Sequence, residues 1–180
     1  MLKDSFPSPE NMDLAARLAV ERAAGESVHA AIAGGYAMQH YGSPRLTKDV
    51  DLIANGPPPF PIKGPLVIGG FTTQGPAGVE VDWILREDEY GPLYAEALEN
   101  AGTTPDGLPI IRPEYMAAMK FATRESKHEG DVVFLLQSGL VGLDKTRHII
   151  HRLVGGRFAV DEFNLLVAEA EWKKSAGLGW

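Results

Sequence analysis

Asp49 and Asp51 flank Val50 in the segment Asp-Val-Asp-Leu, 49–52. Side chains alternate faces along a strand, so the two carboxylates point one way and Val50 and Leu52 the other. Two carboxylates on one strand face repel each other unless a cation lies between them. Magnesium favours oxygen ligands and usually reaches a protein through one or two carboxylates plus substrate phosphates. Upstream, an apolar run ends in Gly34 and Gly35, followed by a short helix-like piece over 36–41. Glycine lets the backbone approach a ligand closely, and N–H groups leading into a helix suit a triphosphate. A plain tight turn explains the same pair if Asp49 and Asp51 are ignored.

These residues need elements to hold them. An apolar run over 28–33 predicts a first central strand. Gly42, Ser43 and Pro44 break the short helix, and Arg45 and Thr47 lead into the strand of Asp49 and Asp51. A second alternating strand, 79–85, carries Glu80 and Asp82 on one face, so either serves as a third carboxylate.

The ordered set of strand, Gly-Gly, short helix and Asp-x-Asp strand resembles the nucleotidyltransferase superfamily related to DNA polymerase beta. Gly34 and Gly35 match its glycine pair, and Asp49 and Asp51 its metal-binding pair. Asp82, between apolar Val81 and Trp83 as in the family pattern, is preferred over Glu80 as the third carboxylate. Arg45 and Thr47 match the Arg-x-Thr/Ser-x-Asp-x-Asp form of the abortive-infection, AbiEii-like branch. A second stretch, 119–136, resembles the later half of that branch's pattern. There Lys120, Arg124 and Lys127 serve nucleotide phosphates, and Asp131 supports the chemistry. The usual Lys-Asp-x-x-Asp has His128 in place of its first aspartate. From spacing alone, Lys120 and Arg124 are expected on one helix face, and solvated surface charge is the reading that spacing favours; the resemblance is what assigns them to phosphate.

The resemblance implies metal-dependent transfer of a nucleoside monophosphate from an NTP to a hydroxyl acceptor, which is RNA, protein or a small molecule. Asp49, Asp51 and Asp82 would bind magnesium or manganese and carry catalysis. Gly34, Gly35, Arg45, Thr47, Lys120, Arg124, Lys127 and Asp131 would contact the nucleotide. A toxin–antitoxin or phage-defence setting, with an antitoxin-like partner protein, follows from the branch. The alternative is a catalytically weak relative that binds a nucleotide or a partner. Tyr36 and Tyr41 are candidates to stack on a base, with core packing the other reading.

Composition narrows the field. The 180 residues are 44% hydrophobic and 23% charged, with a net charge of −7 and no cysteine. This balance argues against a broad basic surface for duplex nucleic acid, though not against a local basic cleft. It also excludes a disulfide framework and thiolate chemistry. No apolar run spans a bilayer and the first ten residues lack a signal-peptide core, so no membrane and a cytoplasmic setting are expected. The G-x-G-x-x-G spacing of a dinucleotide site is absent.

The fold class expected is α/β (α+β), a small mixed sheet of nucleotidyltransferase type flanked by helices. Its strands are placed at 28–33, 49–53, 66–71 and 79–85, with a further short edge strand over 108–111. The core is 1–112, and 113–180 forms a C-terminal helical region. A helix over 9–24 is expected to carry Leu14, Leu18 and the neighbouring alanines on its apolar face, another to cover 88–101, and a proline-rich surface loop to occupy 55–65. Asp144 and Asp161 are expected to cap two helices. His148 and His151, three apart, lack a carboxylate partner at zinc spacing.

Overall fold

The computed structural model describes residues 6–178, with only the backbone described at Lys127. The chain divides between Ile111 and Arg112 into two compact units.

The first unit is a mixed sheet with helices. Helix α1, Pro9–Gly25, starts where Ser8 accepts from the Asn11 N–H at 3.3 Å and Pro9 presets the first turn. Strand β1, Ala30–Ala33, runs into helix α2, Gly34–His40. Then come β2, Asp49–Ala54; β3, Ile62–Pro65; β4, Gly70–Gln74; and β5, Glu80–Ile84. Helix α3, Gly91–Glu99, and two short strands, β6 (Gly102–Thr103) and β7 (Pro109–Ile110), complete it. The strand order is β3-β4-β5-β2-β1-β7-β6. The pairs β2–β5 and β1–β7 are parallel, and the rest antiparallel.

Register decides what shares a face. Asp49 lies opposite Glu80, and Asp51 opposite Asp82. Val50, Leu52, Val81 and Trp83 point to the other face and are fully or almost fully buried. Helix α1 packs against β1, β2 and β5, and its Ala15 and Ala19 line one cavity with Val81. Its buried stripe is Met12, Ala15, Ala16, Ala19 and Ala23. The expected apolar residues Leu14 and Leu18 are instead 51% and 43% exposed. Alanines bring the helix close to the sheet, and that close stripe leaves the larger leucines outside it.

Three expectations shift. Of the strand expected over 66–71 only Gly70 and Phe71 are strand: the chain turns over 66–69, where the Leu66 N–H donates to the Gly70 carbonyl at 3.0 Å, and β4 begins at Gly70. The Gly-Gly inside the expected strand is therefore the end of a turn, with φ of +98° at Gly69 and +111° at Gly70. A Cβ at Gly70 would stand 1.9 Å from the Trp83 carbonyl oxygen, so only glycine fits there. The proline-rich stretch ends in β3, paired to β4, rather than in loop throughout. Strand β7 is not an edge, because β6 lies outside it.

The second unit is helical among the described residues. It comprises α4, Pro113–Ala122; α5, Ser126–Ser138; α6, Leu143–Ile150; a π-type turn, His151–Gly155; and α7, Gly156–Ser175. Phe121 meets Phe163 edge to face at 5.6 Å in its core, and Ile149, Ile150 and Leu135 are fully or almost fully buried. Asp144 lies in the first turn of α6 after an N-cap at Gly142, and Asp161 lies inside α7. Neither is the cap expected. No helix among the described residues is long and apolar enough to cross a membrane.

Candidate functional site

The three expected carboxylates stand on one face of neighbouring strands in the first unit. Each accepts from its own donor. Thr47 Oγ1 donates to Asp49 Oδ1 at 2.7 Å. The Gly35 N–H donates to Asp51 Oδ2 at 3.2 Å. Thr72 Oγ1 donates to Asp82 Oδ1 at 2.6 Å. Asp51 and Asp82 are register partners, yet their donors lie on opposite sides: Gly35 follows β1, and Thr72 is on β4. Among the described residues, no three His, Asp or Glu side chains gather as a metal-holding group.

The glycine pair has a definite purpose here. Gly34 has φ of +56°, and a Cβ on it would lie 1.7 Å from Asp51 Oδ2 and 2.7 Å from Asp51 Cβ. A Cβ on Gly35 would lie 2.7 Å from Thr47 Oγ1. The two bare backbone positions therefore seat Asp51 and Thr47, and Thr47 in turn orients Asp49. The Gly35 N–H, expected to face phosphate, is directed at Asp51.

The electrostatics match that crowding. Burial pushes the Asp82 carboxyl above its ordinary value, the Thr72 hydrogen bond opposes this, and the charges of Asp49 and Glu80 add to it. Glu80, the rival third carboxylate, shares the face but is paired with Lys63 across β4. Asp82 instead accepts from the Thr72 hydroxyl.

Arg45 is exposed in the segment before β2, where its carbonyl accepts from Gln39 Nε2 at 3.0 Å. Tyr36 is a core residue, 6% exposed, with its ring 4.8 Å from His40; burial first, then the charges of Asp13 and Asp106, push its hydroxyl up to about 12. Tyr41 donates its hydroxyl to the Ile111 carbonyl.

The second stretch departs from expectation. Lys120 and Arg124 do not share a helix face: α4 ends at Ala122, and Arg124 takes φ of +54° beyond it. Lys120 is not a solvated lysine. It is 6% exposed and pairs with Asp131 on α5 at 2.6 Å. Arg124 meets Glu162 at 2.7 Å. His128, at the position of the usual aspartate, places Nδ1 2.5 Å from Thr123 Oγ1. The Lys127 side chain lies outside what the structure describes. His148 and His151 are both exposed.

Sequence reasoning missed Thr72. Only the β4–β5 register sets it opposite Asp82. It also missed the Lys63–Glu80 pair, which separates the two rival carboxylates.

No family model and no curated protein matches the chain. Among solved structures, an antigenic nucleotidyltransferase-like protein from Paracoccidioides brasiliensis aligns over 89% of this chain and 94% of its own, at 18% identity and a TM-score of 0.49. The antibiotic-resistance factor ANT(2'')-Ia aligns over 91% and 94%, at 15% identity and a TM-score of 0.43. Likenesses this loose carry no reading of function.

Proposed function

We propose that the chain is a nucleotidyltransferase that moves a nucleoside monophosphate from an NTP to a hydroxyl acceptor. One observation carries the reading. Asp49, Asp51 and Asp82 share a sheet face, and three separate segments supply one donor each to orient them. Solvated surface carboxylates need no such support.

The donor set fits a hard divalent cation. All the ligands are carboxylate oxygens, and the Asp82 carboxyl is raised first by burial and then by the charges of Asp49 and Glu80, which a bound cation would offset. Magnesium is usually held by one or two carboxylates with phosphate and water completing the shell. Magnesium or manganese, held by Asp49 and Asp51 with Asp82 as third carboxylate, would supply charge neutralisation at the phosphates.

The chain's own residues do the remainder. Asp82, with its raised proton affinity, is suited to take the proton of the attacking hydroxyl. Gly34 and Gly35 hold Asp51 close to the backbone, and Thr47 fixes Asp49. Arg45, exposed and always charged, is the phosphate contact of the first unit. Lys120 and Asp131 are given to the fold of the second unit rather than to phosphate, because each is the other's buried partner. Arg124 and Lys127 keep the phosphate role only through the sequence resemblance, as do the AbiEii-like branch, the toxin–antitoxin setting and the partner protein. RNA, a protein hydroxyl and a small molecule all stay open as acceptor.

A second reading, a nucleotide-binding relative with little turnover, is favoured by His128 at the usual aspartate position. Thermal melts with NTP and magnesium or manganese test the site. The parent should gain melting temperature by linkage, and Asp49→Asn with Asp51→Asn should lose the gain. An undiminished rise in the double variant refutes the site. Label transfer from NTP to total RNA or protein separates turnover from binding.

A further inference from the structure

Strands β2 and β5 continue past the carboxylates to Ile53 and Ile84, which return to the same face. At the rise of a strand these stand roughly 7 Å beyond Asp51 and Asp82. There, against α3, lies a half-open cavity of about 190 Å3, floored by Ile53 and Ile84 and walled by Tyr94, Ala95 and Leu98. Open α/β sheets take ligands outside the carboxyl ends of parallel strands. The space is smaller than the 300 Å3 or so at which pockets for whole drug-sized ligands begin, so it suits one ring system.

Its wall is pre-set. The Arg86 guanidinium lies 5.4 Å from the Tyr90 ring and 5.2 Å from the Tyr94 ring, and its Nε donates to Asp88 at 2.9 Å. This stack fixes the Tyr94 ring. The Tyr94 hydroxyl is pushed up by burial, Arg86 opposes, and the charges of Asp88 and Asp51 add, which puts the wall within electrostatic reach of the carboxylates. The rim is mixed. Asn55 Oδ1 accepts from the His29 N–H at 2.8 Å, which leaves its amide nitrogen a donor, and Glu87 is an exposed acceptor. An apolar slot with a donor and an acceptor at its edge suits a flat heterocycle better than an alkyl chain, which has no polar edge.

We propose that this slot takes the nucleobase of the nucleotide whose phosphates meet Asp49, Asp51 and Asp82. The inference rests on the transferase reading, but its test is separable. Ala95 is exposed on α3 and borders the slot, so Ala95→Trp fills it without entering the core. Binding of ATP, GTP, CTP, UTP and inorganic tripolyphosphate, each with magnesium, is measured for parent and variant. Ala95→Trp should weaken binding of at least one NTP by about tenfold or more, on the scale of a lost base stack, and leave tripolyphosphate within about twofold. Unchanged NTP affinity overturns the proposal, and so does an equal loss for tripolyphosphate. If the parent binds no NTP, or the variant does not fold, nucleosides at millimolar concentration decide through the Ile53 and Ile84 methyl resonances of the parent. Shifts there uphold the slot, even where the transferase reading falls; their absence overturns the slot alone.

Discussion

Replacing Gly34 with alanine asks whether the glycine pair exists to seat Asp51. Two costs follow from the structure. At φ of +56° an alanine enters the left-handed region, worth about 1–2 kcal/mol. Its Cβ would also stand 1.7 Å from Asp51 Oδ2 and 2.7 Å from Asp51 Cβ. Rotating the carboxylate relieves only the first contact; the second moves the strand backbone or the helix start. The Gly35 N–H then loses its carboxylate, a bond to a charged group worth about 1.5–3 kcal/mol. At 3.2 Å that bond is long for its kind, so the lower end applies. The sum is about 3 kcal/mol. Gly42→Ala is the control. Gly42 has φ of +90°, yet its Cβ would meet nothing within 4 Å, so only the backbone cost of about 1–2 kcal/mol applies. Since +90° lies further from the left-handed minimum near +57°, the control overstates that cost and the comparison is conservative. Urea denaturation gives both values. Gly34→Ala should also lose the metal-dependent gain in melting temperature with NTP, while Gly42→Ala keeps it. Equal destabilisation of the two variants would refute the seating of Asp51, and retained NTP response in Gly34→Ala would detach that seat from the site.

Lys120→Ala removes the buried cation beside Asp131, and should cost about 3–5 kcal/mol in urea denaturation, whereas Lys120→Met with Asp131→Leu should come near to the parent; a loss under about 1 kcal/mol in the single variant would return Lys120 to the surface. The folded Asp82 carboxyl holds its proton more tightly than the unfolded one, so this group's contribution falls as pH rises from the ordinary carboxylate value through the raised one. Asp82→Asn should therefore gain on the parent in metal-free denaturation at neutral pH relative to acid pH, and a pH-independent difference contradicts the shift. Thr72→Val removes the donor that favours the charged form, so the Asp82 titration followed by carboxyl NMR should move further up; a downward move would deny the Thr72 bond.

The chemistry was legible in the sequence where it depends on neighbours along the chain. Alternation alone put Asp49 and Asp51 on one face, and Glu80 and Asp82 on one face. The glycine pair, the N-cap at Ser8 and the start of α4 at Pro113 are local signals of the same kind, since dihedral limits and caps act within a few residues. Pairing is different. Which strand lies beside β2, and in what register, comes from hydrophobic faces packing across the sheet. Only that register set Asp51 against Asp82, gave Asp82 its Thr72 donor, and gave Glu80 a lysine partner instead. The sequence likewise showed Lys120 and Asp131 as charged residues eleven positions apart, with no sign that either is buried. The turn after α4 folds α5 back on it and closes that pair, so a lysine that spacing assigned to solvent became part of a core.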